Sequence, residues 1–438
     1  MLFLSSDQET GAFDFFLNRT TSQVSRLSRG EFWYKVVPQA LQSDPGIRHA
    51  AFALAAMHRT FEQTGDPRQG TNDFAFRQYD MAIRQHLDYL SRGEDTEYNV
   101  GAYLVSCVLF VCIEMLQRHY QSAVSLIRQA VDLFHKLIAM AHHSHMWPLE
   151  VLETLLCRLQ IQALDFTGAG AVDNILLPRL KAKSMPEIPS TFKSVAEAED
   201  HYEFYRTWFE LNALTSDADD SSPLKYADMV SKWVKAMSGL EDRLQIEANT
   251  VDRQAAAILK IQQLLYTTSL QVAQNNTTRD EREDVWDFCT SIFDQLLDCC
   301  EVVVAAEESA HSHVFTLESG VVAPLFDIAC ACRDPLTRRR AIRLLQRHRC
   351  REGLLDASFA AHAAARVLGL EESMAEGEVV SAADIPKAAR IRWVLPRFKY
   401  AEGQVVIWYG RRTPDNNVKN AESFEETVRW DDLDGRTP

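Results

Sequence analysis

The run from Val100 to Leu116, VGAYLVSCVLFVCIEML, holds one charged residue, Glu114, in seventeen. It has no proline, and Gly101 is its one weak helix breaker. A helix that is apolar all round has to be covered all round, by protein or by lipid. The run sits at the short limit for a bilayer span and carries a carboxylate near one end. No second segment matches it. The expectation is a buried helix at the centre of a large helical domain, with no membrane partner.

The flanking segments read as helices with one apolar face each. Asp44-Pro45 is a helix start, because proline is tolerated in the first turn. The helix it opens carries alanine at 50, 51, 53, 55 and 56, so a neighbour can approach closely. That places it against the central run. Phe76, Tyr79, Ile83, Leu87 and Leu90 form the next apolar face, and Ala123, Ile127, Ala130, Phe134 and Leu137 another. Helical patterns continue over 149–166, 195–215, 224–240, 246–275 and 281–306, then from Val314 through Leu370. Three prolines, Pro178, Pro186 and Pro189, mark 167–192 as irregular. ARIRWVLPRFKY and QVVIWYGRR, separated by AEG, predict a β-hairpin.

The expected fold class is therefore all-α. A large multi-helix bundle spans residues 1–370, a C-terminal extension over 371–412 carries a small β-hairpin, and 413–438 forms a loose acidic tail. The net charge of −15 opposes nucleic-acid binding, whose affinity comes mostly from lysine and arginine on phosphates. The amino terminus lacks the basic and apolar regions of a secretory signal. The nine scattered cysteines then read as packed small hydrophobes, and the expected localisation is intracellular, cytoplasmic or nuclear.

No dinucleotide fingerprint, P-loop or nucleophile elbow appears, so no cofactor is expected. His142, His143 and His145 beside Trp147 read as a helix terminus rather than a metal centre, and no metal site is expected. The arginines at 338, 339, 340, 343, 347, 349 and 351 read as a solvated or ion-paired helix face. Glu114 reads as a member of a buried ion pair, with Arg118 or an arginine of another helix.

Several segments together resemble the fungus-specific transcription factor regulatory domain, the helical region that follows a Zn₂Cys₆ finger in many fungal activators. The resembling pieces are FWYKVVPQ (32–39), PGIRHAAFALAAMHR (45–59), YDMAIRQHL (79–87), LVSCVLFVCIEMLQ (104–117), CRDPLTRRRAIRLL (332–345), REGLLDA (351–357) and IPKAARIR (385–392). They run in order through most of residues 10–395. The finger itself needs two CxxC-containing clusters. This chain has no cysteine before Cys107 and no CxxC. The resemblance thus implies a regulatory domain without its DNA reader and without direct DNA binding.

Two functions follow as expectations. The first is a regulatory or accessory module that binds a small apolar molecule or a partner protein. The alternative is a cofactor-free enzyme of fungal secondary metabolism, a cyclase or Diels-Alder-type catalyst. Such an enzyme would position a reactive pathway intermediate in a helical cavity. Helix 45–61, the central run and helix 195–211 are the expected cavity walls, with His58, Phe110, Tyr205 and Trp208 as candidate pocket residues.

Overall fold

The computed structural model describes residues 6–26, 30–69, 73–92, 96–140, 146–167, 175–214, 223–247, 250–274, 286–309, 311–399, 404–411 and 422–429. The fold is all-α with a small C-terminal sheet. The chain divides into two compact units, residues 1–247 with 312–318, and residues 248–311 with 319–438. His142, His143 and His145 lie outside the described residues.

The first unit contains helices α1 (Asp7–Phe15), α2 (Thr21–Val24), α3 (Val37–Ser43), α4 (Pro45–Thr64), α5 (Asp73–Arg92) and α6 (Glu97–Leu116). It continues through α7 (Tyr120–Met140), α8 (Leu149–Thr167), α9 (Arg179–Ser184), α10 (Val195–Asn212) and α11 (Pro223–Glu247), and adds the short strand β1 (Val314–Thr316). Single π turns interrupt the helices at Phe16–Thr20 and Phe32–Val36. The sequence pattern expects helix from Val314, whereas 314–316 are extended and Leu317 N–H donates to the Val24 carbonyl at 3.1 Å. Helix α9 lies within the stretch expected to be irregular.

Helix α6 is the central run. Every residue from Val100 to Leu116 except Tyr103 is buried. It is long and apolar enough to cross a membrane, yet protein covers it. Helices α4 and α7 pack directly on it. Ala50, Ala51, Ala53 and Ala55 of α4 are wholly buried, as close helix approach requires. Each large apolar side chain so covered contributes about 1.5–3 kcal/mol relative to exposure. The ends are set locally. Asp44 caps α4 by accepting from Ile47 N–H at 2.9 Å, and Thr96 caps α6 by accepting from Asn99 N–H at 3.2 Å.

The second unit contains α12 (Thr250–Gln274), α13 (Thr290–Glu308), α14 (Val322–Ala331), α15 (Pro335–Arg347) and α16 (Ala357–Glu372). Strands β2 (Cys350–Glu352) and β3 (Leu355–Asp356) pair antiparallel. Gly353 between them adopts φ 56°, a left-handed conformation that glycine reaches without steric cost. The predicted hairpin is present as β4 (Ile391–Lys399) and β5 (Gln404–Arg411). A third strand, β6 (Glu422–Arg429), pairs with β5. It lies within the stretch 413–438 expected to form a tail, and there Phe424 stacks on Tyr409 at 5.4 Å and Glu426 pairs with Arg366. One face of the sheet, through Ile391, Ile407 and Tyr409, packs on Ala363 and Val367 of α16.

The arginine-rich segment is ion-paired, but not all of it is solvated. Arg338 is fully buried and donates to Glu371 at 2.6 Å and to the Ala329 carbonyl at 2.9 Å. Glu371 also accepts from the Ile391 amide at 2.6 Å, tying α15, α16 and β4 together. Arg339 pairs with Glu372, Arg340 with Asp298 and Glu301, and Arg347 with Glu308.

A glycine inside a helix ordinarily costs about 1 kcal/mol against alanine. At Gly101 the sign should reverse, because a Cβ there runs into the Trp147 indole. Gly101→Ala is expected to lower stability by about 1–3 kcal/mol, the cost of overpacking a filled core. Urea denaturation followed by circular dichroism measures this; an unchanged or raised midpoint contradicts the packing.

Candidate functional site

A cavity of about 360 Å³ opens in the first unit, between the π turn at Phe32–Val36, α8, the start of α10 and residues 317–318. The size suits a small organic ligand. Its apolar wall is Phe32 and Trp33, in edge-to-face contact at 5.0 Å. Extra residues in a helix re-aim side chains, which is why π turns recur at functional sites. Here the turn brings both rings to one wall.

The lining also carries charged residues. Arg158 of α8 lies 3.6 Å from Glu203 and 4.0 Å from Glu318. Burial works against its charge, but Glu203, Glu318, Glu199 and Asp200 outweigh burial and hold it firmly protonated. Glu199 of α10 is buried. Desolvation and then the Glu318 charge push its carboxyl well above the usual range, and Arg158 offsets only part of this. At the rim, Lys181 pairs with Asp200 at 3.1 Å.

The short helix α9 is held there by Glu153 of α8. That buried carboxylate accepts from the Leu180 and Lys181 amides at 2.9 and 2.8 Å. It satisfies donors at the start of α9, which no preceding turn can satisfy. On the other side, Thr316 donates its hydroxyl to the Val24 carbonyl at 3.3 Å, fixing the strand that delivers Leu317 and Glu318. The cavity thus offers an aromatic wall, one guanidinium and one buried carboxyl group. That combination suits a molecule with an apolar body and a carbonyl or hydroxyl head. Carboxylates at 31, 150, 200 and 318 outnumber the cations at 158 and 181, which disfavours an anionic ligand.

None of the four residues singled out from sequence lines this cavity. His58 on α4 is wholly buried, with Nδ1 3.1 Å from the Thr20 hydroxyl and Nε2 3.0 Å from the Gln23 amide oxygen. Those contacts suit a neutral imidazole in which Nε2–H donates and Nδ1 accepts. Burial, with Arg19 nearby, lowers its pKa to about 3. Phe110 of α6 is buried against Tyr79 and His86, at 5.3 and 5.7 Å. Tyr205 and Trp208 are half-buried around Phe204, at 5.0 and 6.2 Å. Of the three expected walls, helix α10 contributes, through Ala196, Glu199 and Asp200 rather than through its aromatic residues.

Glu114 is met by a tyrosine and a histidine rather than by an arginine. Its Oε1 accepts from the Tyr79 hydroxyl at 2.6 Å, and its Oε2 lies 3.0 Å from His119 Nδ1. The reason is the end of α6. Arg118 takes a left-handed φ of 63°, His119 N–H donates to the Glu114 carbonyl at 2.8 Å, and Arg118 N–H to Met115 at 3.1 Å. This Schellman reversal swings His119 back over Glu114.

Sequence reasoning missed Arg158, Glu199 and Glu318. Glu199 carried a readable signal, because it falls in the same buried stripe as Val195, Ala198 and Tyr202.

No family model matches the chain, and no solved structure does. The chain is similar to the aspercryptin biosynthesis cluster-specific transcription regulator of Emericella nidulans. The two are 23% identical over 491 aligned positions, which span 89% of this chain and 78% of the relative.

The depressed pKa of His58 has a pH signature. The unfolded histidine titrates near 6.5 and the folded one near 3. Between those values the unfolded chain binds the extra proton, so stability drains as pH falls through that window. His58→Gln, which keeps a hydrogen-bonding side chain, should show a shallower loss of stability from pH 6.5 to 3 than the parent. Parallel acid limbs in the two proteins contradict the assignment.

Proposed function

We propose that the chain is a transcription-factor-like regulatory protein acting inside the cell, whose response is set by a small molecule held in the cavity of Trp33, Arg158 and Glu199. The observation that carries this reading is the similarity to a cluster-specific transcription regulator over 89% of the chain. The relative's name associates it with control of a biosynthetic gene cluster, and by that likeness the genes regulated here are biosynthetic as well. The ordered sequence pieces that resemble a fungal regulatory domain support the same reading.

The cavity supports a ligand of limited polarity. Phe32 and Trp33 would cover its apolar body, while Arg158 would donate to an oxygen acceptor. A site built to hydrogen-bond such an oxygen discriminates strongly against analogues lacking it, because the buried donors are then left unmet. The net charge of −15 favours action through a partner protein over direct contact with DNA phosphates.

The test is genetic. Deleting the gene should change transcript levels of a neighbouring biosynthetic cluster several-fold, and Thr154→Trp, which fills the cavity from α8, should reproduce the change while the protein stays folded. Unchanged transcripts in both strains overturn the proposal. If the purified chain then converted a pathway intermediate, the cyclisation alternative would gain the support this one lost.

A further inference from the structure

In the second unit the chain leaves α15 as His348-Arg349-Cys350-Arg351-Glu352. His348 is already extended, with φ −76° and ψ 104°, and β2 follows at Cys350. On extended backbone, alternate side chains share one face. His348, Cys350 and Glu352 therefore point one way, and Arg351 turns the other way to pair with Asp356 at 3.0 Å. The last turns of α13 bring Glu307 to the same place.

The result is a compact donor set. One ligand atom each from Glu307, His348 and Cys350 lies within 4.8 Å of the other two. His348 Nδ1 is 3.3 Å from Glu307 Oε2. The other ring nitrogen, Nε2, is 3.8 Å from Glu352 Oε1. Glu352 is locked in place, because it accepts from the amides of Gly320, Val321 and Val322 at 2.9, 2.9 and 3.2 Å. A carboxylate behind an imidazole whose other nitrogen faces a further donor is the arrangement that orients metal-bound histidine. His348 and Cys350 are buried, and Glu307 keeps a side-chain exposure of 11%, which leaves an entry edge.

We propose that Glu307 Oε2, His348 Nδ1 and Cys350 Sγ form a site for a divalent transition cation, zinc before others, with Glu352 as its outer carboxylate. A thiolate with an imidazole selects zinc over magnesium or calcium, which take oxygen donors. Zinc sits about 2.0–2.3 Å from such ligands and takes four of them, so a water completes the set. Binding would draw in the three ligand atoms, which already lie within 4.8 Å of one another. Loading releases the Cys350 proton to solvent and joins the end of α13 to β2. The site is independent of the cavity and of the regulatory reading.

The sequence offers little sign of it. His-x-Cys is shorter than the CxxC spacing that announces zinc fingers, and Glu307 lies forty-one residues away.

The experiment uses the full chain, stripped of metal and titrated with zinc against a chromophoric chelator, and separately with cobalt(II). One equivalent of zinc per chain is expected, with a rise in melting temperature and a thiolate-to-cobalt charge-transfer band. Cys350→Ser should abolish the band and the thermal shift, and Glu307→Gln should weaken zinc binding at least tenfold. Glu307 is at the surface edge, so that variant decides the matter if Cys350→Ser does not fold. Sub-stoichiometric zinc, or a band and affinity unchanged in Glu307→Gln, overturns the proposal.

Discussion

A helix with no polar face dictates its surroundings. Because α6 has apolar residues on every side, the first unit needs partners that come close on every side. The alanines of α4 permit one close approach, and Gly101 leaves room for the Trp147 ring. The single carboxylate of the run is accommodated at its end rather than removed. Tyr79 donates to it, and the left-handed turn at Arg118 brings His119 back over it. A buried carboxylate without such partners would cost several kcal/mol.

The second unit rests on a different solution, in which buried charges are met by complementary groups. Arg338 and Glu371 are both fully buried, and they draw in the Ala329 carbonyl and the Ile391 amide. Breaking such a pair by removing one partner typically costs about 3–5 kcal/mol, since the remaining charge stays in the interior. Glu352 belongs to the same logic, with three backbone amides around it and His348 beside it. An acid already oriented by backbone can position an imidazole without further reorganisation.

How much of this was legible in the sequence depends on the range of the interaction. Helical periodicity located most helices, and the capping residues Asp44 and Asp334 sit where their proline-led helices begin. The hairpin of β4 and β5 was visible for the same local reason. Strand β6 was not, because its pattern is acidic and polar and its pairing with β5 supplies the order. Strand β1 reads as helix by its apolar content and is extended through contacts with Val24. The cavity was illegible as a place. Its walls come from residues 32–33, 150–159, 181, 196–200 and 317–318, and no local pattern says which of their side chains end up facing a space. His58 shows the converse, since a histidine on an apolar helix face proved to be enclosed by Thr20 and Gln23.

The central proposal is that the cavity lined by Trp33 and Arg158 holds a small molecule. Native mass spectrometry of the chain purified from its own cells tests it most directly. The account predicts a stoichiometric adduct with the mass of a small organic molecule on the parent protein, absent from folded Thr154→Trp. An unmodified mass for the parent, or the same adduct on both proteins, would contradict it.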